Sequence, residues 1–137
     1  MTNAVDEIFW VISNYQQDPS EVVESLNGEY YIYNQGEPSF IPDEIMGAGR
    51  VSNTIHSGHN LSDYLKYIIQ NYHNLPSRVG FIKGNLFPRH ISKEIFLSRK
   101  LDSGFVSLYG DINTFSPHYR FQLSVFYMAQ QIAPGYY

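Results

Sequence analysis

Apolar and polar positions along this chain predict strands alternating with helices. Residues Ile8 to Ser13, "IFWVIS", form a continuous run rich in β-branched and aromatic types, the pattern of a strand covered on both faces. "NYQQDPS" turns the chain, and Pro19 suits the first turn of a short helix carrying Val22, Val23 and Leu26 before a stop at Asn27-Gly28. Glu29 to Asn34, "EYYIYN", is a second strand, completing a βαβ unit. From Glu37 to Gly58 there is no clear periodicity, and Pro38, Pro42, Gly47 and Gly49 mark a long loop with a short strand within Arg50 to Thr54.

The strongest pattern is "NLSDYLKYIIQNYHNLP". Leu61, Tyr64, Leu65, Ile68, Ile69 and Tyr72 recur at helical spacing and predict a wide buried face. Asn60 is the expected N-cap, Asp63 lies in the first turn, and Asn74 with Pro76 ends the helix. "RVGFIKG" is the following strand, and Ser92 is placed to cap a helix through "KEIFLSRK". In the remaining stretch, 101–137, the segment "FQLSVFYMAQQI" reads equally as a helix or as a strand and turn. Two strand-helix-strand passages imply one α/β domain over 1–137, a three-layer arrangement with a largely parallel sheet.

Composition narrows the function classes. The chain has 137 residues, no cysteine and a net charge of −4 with its acids scattered, which argues against a general nucleic-acid surface. Without cysteine there is no disulfide framework and no thiolate chemistry, which fits a cytoplasmic setting. No apolar run approaches the roughly 18 residues of a membrane span. Twelve tyrosines suit sugar or nucleoside contacts, and suit half-buried core positions equally well.

Ligands of open α/β sheets bind outside the carboxyl ends of the strands. Three stretches converge there: Ser13-Asn14-Tyr15, Asn34-Gln35-Gly36 and Lys83-Gly84-Asn85. "HSGHN", with Gly58, His59 and Asn60, adds the N-terminus of the long helix, where unpaired N–H groups favour an anion; the plain alternative is a turn glycine and a capping asparagine. "KGNLFPRH" is the less ordinary cluster. Lys83 and Arg89 are the expected anion ligands, with His90 and Lys93 beside them; pairing of Arg89 with Glu94 is the structural alternative. Asp43, Glu44, Asp63 and Asp111 are the acids available as a general base or as oxygen ligands to a hard cation. Nucleophile-elbow, Walker, zinc-protease and dinucleotide fingerprints are all missing.

"YYIYNQGEP" followed by "SGHNLSDYLKYIIQNYHNLPSRVGFIKGNLFPRHISKEIF" resembles proteins of bacterial and viral glycan-building loci and, more distantly, the DUF3431 type of domain of unknown function. Its shared core corresponds to Gly58, Asn60, Tyr64, Leu65, Ile68, Ile69, Asn71, Tyr72, Leu75 and Pro76, and the likeness spans 8–100. The resemblance implies a Rossmann-like or glycosyltransferase-A-like fold, a nucleotide-sugar donor and a glycan acceptor. No catalytic residue is carried over from that group; by residue type alone, the diphosphate is expected against Lys83, Arg89 and the N-terminus of the long helix, with Asp63 or Asp111 as base and Mn²⁺ or Mg²⁺ as the candidate ion. An Asp-x-Asp motif is missing, "GDIN" being its nearest counterpart, and relatives are expected to continue past "APGYY", which implies a truncated domain. The rival expectation is a non-catalytic carbohydrate-binding or interaction module.

Overall fold

A computed structural model describes residues 8–54 and 59–99. The expected readings of Gly58, Asp111 and the stretch 101–137 lie outside the described residues. Four strands, β1 (Phe9–Asn14), β2 (Tyr30–Asn34), β3 (Val51–Asn53) and β4 (Val79–Lys83), alternate with four helices. These are α1 (Ser20–Glu24), α2 (Asp43–Gly47), α3 (His59–Gln70) and α4 (Lys93–Ser98). The sheet is all parallel in the order β3-β2-β1-β4. Such an order places β1 at the centre and carries α3 from one edge strand to the other.

Strand pleating sends alternate residues to opposite faces and thereby builds two cores. Trp10, Ile12, Ile32 and Ile82 pack on one face against Val22 of α1, Ile45 of α2 and Phe96 of α4. Val11 and Tyr33 pack on the other face against Tyr67 of α3, with Phe9 stacked on Tyr67 at 5.5 Å between ring centroids. The domain is therefore a three-layer, Rossmann-like α/β fold, as expected. At ~1.5–3 kcal/mol for each large apolar side chain fully buried, both layers contribute substantially to stability.

Three expectations are corrected. The loop after β2 is not without structure: a 3₁₀ turn at Pro38–Phe40 and the whole of α2 lie in it, both too short for periodicity to register. Helix α3 starts at His59, so Asn60 is inside the helix instead of capping it. The third concerns its buried face. Asp63 and Tyr67 are the buried residues, with Tyr64 and Ile68 beside them, whereas Leu61, Leu65, Ile69 and Tyr72 are exposed. The helix has turned its polar Asp63 inward and left four of the six residues of the expected apolar stripe exposed. Ser92 caps α4 as expected, its Oγ accepting from the Ile95 N–H at 3.1 Å.

Gly80 is the packing point of the β1–β4 pair. It lies in register with Trp10, and a Cβ at this position would sit 2.4 Å from carbons of the Trp10 ring. The indole, itself 3 % exposed, has no room to withdraw. Gly80→Ala is expected to destabilise the fold by about 1–3 kcal/mol. Gly47→Ala, where nothing lies within 4 Å of the added carbon, is expected to leave stability unchanged or raise it by up to about 1 kcal/mol. Thermal denaturation of the two variants checks the contrast.

Candidate functional site

A cleft of about 520 Å³ opens at the C-terminal edge of the sheet, where β1 and β4 separate the two directions of chain winding. The end of β1 and its loop supply Ser13, Tyr15, Gln16 and Gln17; the end of β2 supplies Gln35. His59 and Asn60 come from the first turn of α3. Lys83, Asn85 and Arg89 come from the end of β4 and the loop after it. The lining therefore carries two permanent cations and no carboxylate. Among the described residues the ion pair present is the solvent-exposed Arg50–Glu29 contact at 3.6 Å, so Arg89 is not held by Glu94 and Lys83 has no acid partner. Positive charge with no counterion among the described residues favours an anionic ligand.

Register explains how three strands meet here. Ser13 lies opposite Lys83, and both point, like Gln35, to the α3 side of the sheet. Side chains one position along point to the other side and form a polar row, buried at Asn14 and Asn34 and open to solvent at Asn53. Asn14, Asn34 and Asn53 lie in register across β1, β2 and β3. Asn14 Nδ2 donates to Asn34 Oδ1 at 3.1 Å, and Asn34 Nδ2 donates to Asn53 Oδ1 at 3.1 Å. Asn14 also donates to the Gln17 carbonyl at 2.9 Å, tying the β1 loop down.

This arrangement sorts the expected ligand residues. His59, Asn60, Lys83, Asn85 and Arg89 are brought together on the cleft. Asn14 and Asn34 are fully buried and bonded to each other, so they support the cleft from behind instead of lining it. Gly84 belongs to the same supporting layer, because a Cβ there would lie 2.0 Å from Asn14 Oδ1. His90 and Lys93 do not line the cleft: the His90 N–H closes a turn onto the Leu86 carbonyl, and Lys93 is exposed at the start of α4. Gln16 and Gln17 were not anticipated as lining residues. Their only signal was position, directly after the first strand.

Asp63 departs most from expectation. Its carboxylate is fully buried under the cleft wall, and both Ser13 Oγ (2.6 Å) and Gln35 Nε2 (2.5 Å) donate to Oδ2. Burial pushes its carboxyl above the ordinary value of 3.8, while the hydrogen bonds from Ser13 and Gln35 and the charge of Lys66 oppose that rise. An acceptor hydroxyl in the cleft cannot reach a carboxylate so enclosed, which corrects its placement as a substrate base. Tyr33, next to it in the same layer, is pushed up to about 12 by burial first and then by Tyr31, Tyr67 and Asp63.

Strain gathers at the cleft as well. Gln16 (φ 49°) and His59 (φ 55°) are the described non-glycine residues with positive φ, and both line it. Conformations of this kind cost on the order of 1–3 kcal/mol and persist where surrounding contacts hold them. For His59 one such contact is visible, since its carbonyl accepts from Gln35 Nε2 at 2.7 Å. Among the described residues no three His, Asp or Glu side chains come together. Asp43 and Glu44, in the first turn of α2, are not on the cleft.

A raised carboxyl in the folded state means that its protonated form favours folding. The contribution is present below the unfolded value near 3.8 and is lost as pH rises through the higher folded value. The stability of the native chain minus that of Asp63→Asn is therefore expected to fall with rising pH across that window and then level off. Paired melting curves from about pH 3 to about pH 8 measure it, and a difference that rises with pH contradicts the assignment.

Comparison of the chain with protein-family models, with curated proteins and with solved structures finds no match to any.

Proposed function

We propose that the chain is a glycosyltransferase-like domain that binds a nucleotide-sugar in this cleft and acts in glycan biosynthesis. The observation that carries the reading is the pairing of Lys83 and Arg89 in a carboxylate-free cleft at the sheet's C-terminal edge. Arg89 offers a planar fork and Lys83 a point charge, together suited to the oxygens of a diphosphate. Tyr15 is half exposed on the cleft lining, an aromatic side chain of the kind that a base or sugar packs on. Amides of Gln16, Gln17, Asn60 and Asn85 supply both donors and acceptors for hydroxyl groups. The lack of cysteine supports a cytoplasmic setting for the domain, and no described helix is long and apolar enough to cross a membrane.

One observation favours a second reading, a non-catalytic carbohydrate-binding module. The described cleft offers no carboxylate as a base, Asp63 being sealed behind its wall. In that reading the same amides and Tyr15 hold a sugar without turnover.

Titration calorimetry with UDP-glucose and GDP-mannose, with and without Mn²⁺, tests the proposal. Saturable nucleotide-sugar binding is expected, weakened about tenfold to a hundredfold by Lys83→Ala and by Arg89→Ala, the ~1.5–3 kcal/mol of a hydrogen bond to a charged group. Lys93→Ala, outside the cleft, leaves affinity unchanged. Binding of free oligosaccharide with none of nucleotide-sugar replaces the proposal with the second reading.

A further inference from the structure

The wall beside Lys83, made by Ser13 and Gln35, is chemically one-sided, for reasons that lie behind it. Ser13 Oγ gives its one proton to Asp63 Oδ2 at 2.6 Å. Gln35 Nε2 has two protons, and two acceptors stand at hydrogen-bonding distance: Asp63 Oδ2 at 2.5 Å and the His59 carbonyl at 2.7 Å. A flipped amide would set its oxygen against a carboxylate and a carbonyl, so the partners themselves fix its orientation. Every donor on Ser13 and Gln35 is therefore engaged away from the cleft that both residues line. What remains for a ligand on these two groups is oxygen lone pairs.

From this we infer that Asp63 is a positioning residue that makes Ser13 and Gln35 an acceptor-only wall, so that the cleft selects a ligand carrying an anionic group and hydrogen-bond donors together, a polyhydroxylated phosphate ester. Anion and donor contacts come from neighbouring points: Lys83 lies in register with Ser13 on the adjacent strand. An anion placed on Lys83 projects its attached polyol along a surface that accepts hydrogen bonds and repels a second anion. Protonation of Asp63 on Oδ1 leaves Oδ2 accepting from both residues, so the polarity does not depend on the charge of the carboxyl. The inference rests on the anion site of the proposed function, but not on the ligand being a nucleotide.

The test uses inorganic diphosphate, glucose 1-phosphate, the monodeoxyfluoro analogues of glucose 1-phosphate, and UDP-glucose. Fluorine replaces a hydroxyl at similar size and cannot donate. For the native chain, at least one fluoro analogue is expected to bind about tenfold more weakly than its parent, as for a polar wall that loses its partner. Asp63→Ala, which removes the acceptor and frees the Ser13 and Gln35 donors, is expected to erase that difference, whereas Asp63→Asn, which keeps an accepting oxygen in place of Oδ2, is expected to retain it; a merely structural role for Asp63 lowers all affinities, that of diphosphate included. Because a buried variant can fail to fold, the native chain supplies a second measurement. Both side-chain N–H protons of Gln35 should exchange slowly with solvent by NMR. Fast exchange of either proton, or fluoro analogues that all match their parent, overturns the acceptor wall and leaves the nucleotide-sugar reading standing. Binding of glucose 1-phosphate with the fluoro penalty, but not of UDP-glucose, overturns the nucleotide reading and leaves the wall. Binding of none of these sugar phosphates overturns both.

Discussion

A carboxylate with no solvent exposure at the end of a central strand persists only if neighbouring groups donate to it, and in this domain that demand falls on Asp63. Ser13 at the end of β1 and Gln35 after β2 both turn to it, and Gln35 also holds the first carbonyl of α3. One buried oxygen thus joins two strand ends and a helix start. The same bonds fix the seating of α3 on the sheet, because rotating the helix to bury its full apolar stripe would pull Asp63 from its donors. That the helix keeps Leu65 and Ile69 exposed is the cost of meeting the carboxylate's requirement.

The C-terminal edge is layered by strand pleating. On one side of the sheet the buried Asn14 and Asn34 and the exposed Asn53 are joined in a hydrogen-bonded row; on the other, Ser13, Gln35 and Lys83 reach the cleft. This row stiffens the strand ends, and Gly84 is required beneath it, since the Asn14 amide occupies the space of a Cβ. A rigid polar floor under a cationic cleft is a suitable support for a ligand of defined shape.

Much of this was legible before the structure. The four strands, the short α1 and the capped α4 stand near their expected bounds, because β-branched runs and turn residues are local signals, whereas α3 stops at Gln70 and a 3₁₀ turn at Tyr72–Asn74 takes up the rest of the expected helix. The convergence of Lys83, Asn85 and Arg89 on one edge was legible from type and position, since strand ends in a parallel sheet define that edge, and all three line the cleft. Asn14 and Asn34 looked alike from sequence to any cleft amide. Whether an amide at a strand end faces a ligand or a neighbouring strand depends on register, and register between β1 and β2 is a non-local property.

What the sequence determined by itself is the alternation of strand and helix, the parallel α/β class, and the concentration of cations after β4. Those follow from local propensity, hydrophobic period and the absence of internal acids in "KGNLFPRH". Tertiary structure decided which face α3 buries, which strand-end residues are floor and which are wall, and that Asp63 works through Ser13 and Gln35. Residues 28 and 50 positions apart in the chain hold this network together, and no local pattern encodes a hydrogen bond at that separation.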